Sequence, residues 1–384
     1  MKSQVPQPEA ADAGQTDAAT AIAGLPPGLI NRLRNVGSRH HYVPRFLLNR
    51  FAIMRHGHHF ICEYHLADGK INSLSTADVA VVKDYNTLKT QSKEEAGLIE
   101  LFFSLFEEQA APIVNALVAG GEPSLMEMGV LANFVAAQQV RTPRGRGYAR
   151  FMMEEARRMY MINQVSSGHE QARDHLRETM GQEPSDEEVA QWQADTVAIL
   201  EHDVRVVANR DHEVVGQTIA LEKLAEAVFT KEVVVLHTPP AKAFRFVLSD
   251  EPLARYDPAN PNSNAGWLSS PTFEATLPID PTACLLLHTG NPGSVRHLRC
   301  PAPRVEEINL RGFAWARDSL FGATADAFQA VVSQAKAKPE VVELWRPQAP
   351  NIYILEGPAP ASAKVARVIA GPTTTKVRAQ EVTS

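Results

Sequence analysis

The chain has 384 residues, of which 44% are hydrophobic and 21% are charged, so it can bury a substantial core in one large domain or two ordinary ones. Its formal net charge of -6 excludes a general electrostatic attraction to nucleic acid or anionic lipid, and any contact with a polyanion would have to be local. Three widely spaced cysteines, Cys62, Cys284 and Cys300, form neither a metal-binding pattern nor a disulfide framework, which favours a reducing compartment.

The two ends of the chain differ in composition from its middle. Residues 1–28 are rich in Ala, Gln, Asp and Pro and contain too few large apolar side chains to offset the entropy of ordering, which predicts a disordered leader. Residues 357–384 have a similar composition and predict a disordered tail, so 29–356 are predicted to form a single domain. We find no export signal and no apolar run of membrane-spanning length, and therefore predict a cytoplasmic protein without membrane contact.

The segment 38–51, SRHHYVPRFLLNRF, contains the adjacent histidines His40 and His41. Pro44 disfavours a helical conformation for the residue before it but is tolerated in a first helical turn, which predicts that the histidines lie in a loop before a helix. In a loop the two rings could meet at one point, as metal ligands or as acid and base, whereas in a strand they would face opposite sides. The alternative is structural, with one histidine bonded to the backbone and the other exposed.

Hydrophobic periodicity divides the rest of the chain into a hairpin, a helical region and a region rich in strands. The hairpin is predicted at 59–74. Helices are predicted at 93–117, 124–140, 147–165, from 185 onward, at 211–231, 305–321 and 326–337. Strands are predicted at 232–237, 244–248, 272–277, 283–288, 341–345 and 352–355. The predicted fold class is α+β, with an N-terminal hairpin, a central helical bundle, and a C-terminal, mainly antiparallel sheet flanked by helices.

Two pairs of polar residues lie on the first two long helices. Glu100 and Glu107 are seven residues apart and share a face, so in a cleft they could hold a divalent metal or transfer protons. Their alternative is a solvent-exposed face. Gln138 and Arg141 share a face at the end of the next helix, where an arginine can bind a carboxylate or phosphate through two parallel hydrogen bonds. The alternative for Arg141 is a salt bridge to Glu107 across the helix pair.

A further polar group follows the apolar run 244–248. Ser249 and Asp250 stand at this predicted strand end, where sheets offer side chains to ligands, and Asp250 could act as a metal ligand or base. In the alternative reading the segment is a plain turn in which Asp250 bonds its own backbone. Asn309, on a later helix, is an additional polar candidate.

Five segments together resemble a bacterial family of uncharacterised proteins that opens with the motif HHxVPxFxL. They are HHYVPRFLLNRF, GLIELFFSLFEEQAAPIV, FVAAQQVRTPRGR, FVLSDEPL and VEEINLRGFAWARDSLF, in this order over residues 39–321. The chain departs from the family pattern with Arg45 where glutamine is common and with Glu251 where asparagine is common. The resemblance names no reaction and implies functional positions at His40, His41, Pro44, Glu100, Glu107, Gln138, Arg141, Ser249, Asp250, Pro252 and Asn309.

These residue types predict an enzyme that hydrolyses a phosphate-containing or nucleic-acid substrate, with nucleases as one member of the class. The predicted metal ligands, should a divalent metal be the cofactor, are His41 and Asp250. The alternative is a non-catalytic binding or regulatory module in which the same residues are structural. The predicted catalytic residues are His40, His41, Glu107 and Asp250, and the predicted substrate-binding residues are Gln138, Arg141, Ser249 and Asn309.

Overall fold

Short elements make up the N-terminal part of the computed structural model, which describes residues 25–89, 92–204, 206–239, 244–260, 270–347, 351–355, 366–370 and 373–376. They are α1 (Pro27–Arg34), β1 (Arg39–His41), α2 (Arg45–Arg50), β2 (Ile53–Arg55), β3 (His58–His65), β4 (Ile71–Ser75) and β5 (Val81–Lys83). Strands β3 and β4 pair antiparallel, which confirms the predicted hairpin. The short helix predicted after Pro44 is also present.

Six consecutive helices follow: α3 (Lys93–Val118), α4 (Leu125–Val140), α5 (Pro143–Ser167), α6 (His169–Met180), α7 (Asp186–His202) and α8 (Arg210–Phe229). Capping boxes at Ser124 and Ser185 fix the starts of α4 and α7, the second as the sequence predicted. Helix α5 begins four residues before its predicted start, because Thr142 caps it and a proline needs no amide partner in the first turn.

The C-terminal part alternates strands and helices. Its elements are β6 (Glu232–His237), β7 (Leu248–Ser249), β8 (Ala254–Tyr256), β9 (Glu274–Asp280), β10 (Ala283–His288), β11 (Val295–Arg299), α9 (Ala302–Trp315), β12 (Ser319–Gly322), α10 (Asp326–Ala337), α11 (Pro339–Trp345), β13 (Asn351–Leu355), β14 (Ala366–Ala370) and β15 (Thr373–Lys376). One five-stranded sheet has the order β11-β6-β10-β9-β8, antiparallel except for the parallel pair β11 and β6. The fold class is therefore α+β, as predicted.

The main core lies between this sheet and the helices α2, α3 and α4. Val235 and Leu285, from the centre of the sheet, are fully buried together with Leu48 of α2 and Val114 of α3. Helix α3 is long and apolar enough to cross a bilayer by length and composition alone. It packs against α1, α4 and α8 and carries the ion-paired glutamates Glu107 and Glu108.

Three predicted elements were wrong. The run 244–248 forms only the two-residue strand β7, because the side chain of Asn309 bonds the Val247 amide and the Arg245 carbonyl in place of a neighbouring strand. The predicted helix 305–321 ends at Trp315, and the chain then enters β12 between β3 and β7. The predicted strand 341–345 is helix α11, because Pro339 opens a helical turn and Val342 packs against α9.

The predicted domain bounds stay a prediction. Strands β14 and β15 lie within the predicted tail and pair with each other and with β13. The other residues of the predicted tail, and residues 1–24 of the predicted leader, lie outside the described residues.

Replacement by alanine is expected to have opposite effects on stability at two glycines near the start of α5. A Cβ on Gly145 would lie 1.9 Å from the Gln139 carbonyl oxygen, whereas one on Gly147 would meet nothing within 4 Å. We expect Gly145→Ala to destabilise the protein by about 2 kcal/mol or more, because the α4–α5 corner must shift. Gly147→Ala should stabilise by about 0.5–1 kcal/mol through helix propensity. Urea unfolding of both variants tests this, and equal effects would contradict the close approach.

Candidate functional site

The adjacent histidines lie in strand β1, not in the predicted loop. Strand β1 pairs antiparallel with β5, His40 opposite Val82 and His41 opposite Val81. Successive side chains of a strand point to opposite faces, and His40 is fully buried whereas His41 is half-buried. The two rings therefore do not meet at one point, which corrects the expected convergence.

His40 is held by backbone groups on both of its ring nitrogens. The Asn86 amide donates to Nδ1 at 2.8 Å, so the proton lies on Nε2, which donates to the Gly37 carbonyl at 2.8 Å. The Asn86 side chain in turn donates to Glu100 at 2.9 Å. Through these contacts His40 and Glu100 connect the N-terminal strand to helix α3.

Arg141 is buried and joins two parts of the chain. Its guanidinium donates to Glu107 on α3 and to the carbonyl oxygen of His41, so the salt bridge considered as the alternative for Arg141 is present. Burial raises the pKa of Glu107, and the contact with Arg141 acts in the opposite direction. Gln138, one turn earlier on α4, donates to the Phe134 carbonyl at 3.1 Å.

Asp250 accepts three backbone hydrogen bonds from the segment between α9 and β12. The amides of Arg317, Asp318 and Ser319 donate to its carboxylate at 2.9, 2.7 and 3.2 Å. Burial raises the pKa of Asp250 to about 6, and these amide donors act in the opposite direction. Ser249 donates its hydroxyl to the Glu251 carbonyl at 2.7 Å. Together with Asn309, which holds residues 245–247, these side chains order the backbone around β7.

The predicted metal ligands do not fit a shared metal ion. Both carboxylate oxygens of Asp250 already accept amide bonds, and Nε2 of His41 faces the Thr76 carbonyl at 3.1 Å. Within the described part of the chain, no hydrogen bond or ion pair joins His41 to Asp250, and no group of three or more His, Cys, Asp or Glu side chains could hold a metal ion. Burial lowers the pKa of His41, and the positive charges of Arg141 and Arg45 lower it further.

A different acid, Glu251, occupies the most unusual position in this region. Its side chain is only 4% exposed and lies at the N-terminus of α5, where the Arg144 amide donates to its carboxylate at 3.0 Å. Burial raises the pKa of Glu251 to about 7, although hydrogen bonding from Thr142 and the charge of Arg144 act in the opposite direction. A carboxyl group with this pKa can both donate and accept a proton near neutral pH.

Four further residues are linked to Glu251 directly or through one another. The Arg144 guanidinium donates to the Trp315 carbonyl at 3.1 Å, and the Arg146 guanidinium stacks 4.3 Å from the ring centre of Tyr85. Burial raises the pKa of Tyr85 to about 12, the charge and hydrogen bond of Arg146 act in the opposite direction, and the charge of Glu251 adds to the increase. We call Glu251, Tyr85, Arg144, Arg146 and Trp315 the Glu251 cluster. Within the described residues, Arg144 Nε and Trp315 Nε1 are buried donors of this cluster without a partner, whereas Arg146 interacts with Tyr85 and pairs with Glu213 at 3.4 Å.

Three residues connect this cluster to the surface. Tyr42 is half-buried, and after burial the negative charge of Asp250 is the largest cause that raises its pKa. The side chain of Arg317 is 51% exposed and acts electrostatically on Tyr85. Tyr148, 48% exposed, acts on the buried guanidinium of Arg255, which lies over the Trp315 ring. The cluster therefore has apolar and cationic side chains between it and solvent.

The Glu251 cluster was missed although the segments that carry Glu251, Arg144, Arg146 and Trp315 had been singled out, whereas the segment of Tyr85 had not. The arginine-rich start of α5 and the acid after Asp250 are visible in the sequence, and Glu251 is one of the two departures from the family pattern. Residues 144 and 251 are 107 positions apart, so only the tertiary structure shows that they touch.

Comparison with known proteins identifies a family but no reaction. A family model described as "Protein of unknown function (DUF4238)" matches residues 39–326, which is most of the chain. No curated protein and no solved structure matches the chain. The match spans β1, the helical region and α9, and so contains every residue of the Glu251 cluster.

The backbone contacts of Asp250 predict a large loss of stability when its carboxylate is removed. Asp250→Ala leaves three amides without this acceptor, of which that of Ser319 is buried and the other two are partly buried, and we expect a loss of about 3 kcal/mol. Asp318→Ala is the matched control, because that side chain is 66% exposed and pairs only with Arg317, so its effect should stay below about 0.5 kcal/mol. Chemical denaturation measures both, and equal values would show that the carboxylate does not order residues 317–319.

Proposed function

Because the chain belongs to the DUF4238 family of proteins of unknown function, which names no reaction, we propose from the contacts around Glu251 that it is a hydrolase of a phosphate-containing substrate. The observation that carries this proposal is a buried carboxyl group with a pKa of about 7 at the first turn of α5, where it accepts from the amide of Arg144, whose Nε is a buried donor without a partner among the described residues.

Phosphate is the ligand class that these donors fit. Arginine guanidinium groups bind phosphate oxygens through several N–H groups at once, and the first amides of a helix add a partial positive charge. Here Arg144 and Arg146 stand at the start of α5, and the Nε of Arg144 is buried without a partner among the described residues, while Arg146 pairs with Glu213. An anion bound to Arg144 would satisfy a group that is otherwise costly to bury.

Glu251 supplies the proton for bond cleavage. When water attacks the phosphorus atom, the bond between phosphorus and the leaving oxygen breaks, and a protonated Glu251 donates its proton to that oxygen. The arginines compensate the negative charge on the other phosphate oxygens during this step. The carboxylate that remains then accepts the proton that the attacking water releases, which restores the starting state.

The sequence-predicted site residues receive positioning roles in this proposal. Arg141 fixes the corner before α5 through Glu107 and the His41 carbonyl, and Asp250 fixes the segment that precedes β12. His40 connects β1 to the segment that carries Tyr85 through the Asn86 amide. Each of them would affect activity through the placement of the Glu251 cluster, without proton transfer or metal binding of its own.

The rival function is a non-catalytic module that binds a phosphorylated ligand. It is favoured by the number of predicted site residues that are satisfied by backbone groups, namely His40, Asp250 and Asn309. This module would use the same arginines and would not need a proton from Glu251. Turnover separates the two functions, since a binding module would show phosphate affinity without hydrolysis.

Glu251→Gln tests the catalytic role directly. This substitution keeps the size of the side chain and removes the proton donor, so kcat should fall by about 10²–10⁴-fold. Hydrolysis of p-nitrophenyl phosphate and of bis(p-nitrophenyl) phosphate measures kcat, and affinity for inorganic phosphate should change little. The matched control is Asp318→Asn, which removes an exposed carboxylate nearby. Phosphate binding without hydrolysis in the wild-type protein would select the binding module.

The raised pKa of Glu251 also predicts how stability depends on pH. The folded protein binds this proton more tightly than the unfolded chain, because the pKa rises from the ordinary value of 4.5 to about 7. The stabilising contribution is therefore complete below pH 4.5 and is lost as the pH rises toward 7. Glu251→Gln should remove this loss, so its free energy of unfolding should decline less than that of the wild type between pH 5 and about 8. Parallel pH profiles would contradict the assignment.

A further inference from the structure

An apolar groove runs between helices α3, α4 and α8, on a part of the molecule that the hydrolase proposal does not use. Its volume is about 730 Å³, and it is open to solvent along one side. The floor is formed by Phe102, Ala132, Leu221, Ala225 and Phe229. We call this the α8 groove. We propose that it binds an amphipathic helix with basic residues that belongs to a partner protein.

The groove is long enough for a helix. Its lining on α8 runs from Thr218 to Phe229, which are about 17 Å apart along the helix axis at 1.5 Å per residue. Ile219 is 61% exposed and lies on the same outer face of α8 as Glu222 and Glu226. A small molecule would cover part of this length, whereas a helix of about three turns would cover all of it.

Small side chains allow close approach of another helix. Gly129, Ala132 and Ala225 line the groove, and a Cβ placed on Gly129 would meet nothing within 4 Å. Helix axes can approach to about 8 Å where the contacting residues are small. The groove is therefore shaped to receive the large apolar side chains of a second helix between α4 and α8.

The charge of the rim identifies the chemistry of that helix. Glu222 and Glu226 line the groove one turn apart on α8 and are exposed, and no lysine, arginine or histidine is among the described residues that line it. Lys223 pairs with Glu226 at 3.1 Å and also acts electrostatically on Glu222, so the two glutamates and this lysine together carry one net negative charge. An apolar face flanked by lysines or arginines would complement this rim, and an acidic helix would be repelled.

Two synthetic peptides test the proposal on the full chain. Both are fluorescently labelled 18-residue amphipathic helices with the same leucine pattern, one with lysines and one with glutamates on the polar face. We expect the Leu/Lys peptide to bind at least 10-fold more tightly by fluorescence anisotropy. The double variant Glu222→Lys with Glu226→Lys should reverse this preference. The control double variant Glu178→Lys with Glu187→Lys changes the net charge equally on exposed positions of α6 and α7, and should leave the preference unchanged.

Occupation of the groove is tested by Gly129→Phe, which fills it from a position with free space. This variant should weaken binding of the Leu/Lys peptide at least 10-fold while thermal unfolding shows a folded protein. Equal effects of the two charge-reversal variants would overturn the proposal, because attraction would then follow net charge alone. It would also be overturned by a dimer of the wild-type chain that Gly129→Phe dissociates, or by binding of an apolar dye without binding of either peptide. None of these readouts involves hydrolysis, so failure here leaves the Glu251 proposal intact.

Discussion

Buried guanidinium groups need hydrogen-bond partners, and in this structure those partners meet at the corner between α4 and α5. Arg141 lies at the end of α4 and bonds α3 and β1, and Arg146, one turn into α5, donates to the Tyr85 carbonyl. Between them, the Arg144 amide bonds Glu251, which follows β7 in the C-terminal part. A row of six residues thus contacts the N-terminal strands, the helical bundle and the sheet region. A guanidinium cannot be buried without such partners, so this corner fixes how the three parts meet.

Such buried polar contacts specify an arrangement more than they stabilise it. Desolvation of Arg141 and Glu107 offsets much of their attraction, so the ion pair adds little to the net free energy of folding. The stabilising free energy comes from the apolar core between the sheet and helices α2, α3 and α4. The polar corner instead penalises every other packing of the same helices, because an unpaired buried charge would be far more costly than the pair. Positions around the Glu251 cluster are thereby held in one geometry.

Hydrogen bonding differs between the side chains that order the backbone and the Glu251 cluster, although Arg141 Nε and Gln138 Oε1 of the scaffold also lack a partner among the described residues. The side chains of His40, Asp250 and Asn309 form hydrogen bonds with backbone groups, as residues that order loops do. Glu251 and its neighbours show the opposite pattern, with donors that lack protein partners next to an acid with a raised pKa. Functional sites retain such groups because a ligand completes them, at a cost in stability for the protein alone.

What the sequence determined by itself was local. Periodicity located the helices α3 and α4, and periodicity with a capping box located α7. Alternation located β3, and short apolar runs located β6 and β10, because all of these signals lie within a few residues. The family resemblance over 39–321 likewise identified the segments that contain the predicted site residues. Tertiary structure alone decided that His40 and His41 face apart in a strand, that 341–345 is helical, and that Glu251 meets Arg144. The physical reason is that strand pairing, burial and the contacts of a buried acid depend on residues far away along the chain, whose positions no local pattern encodes.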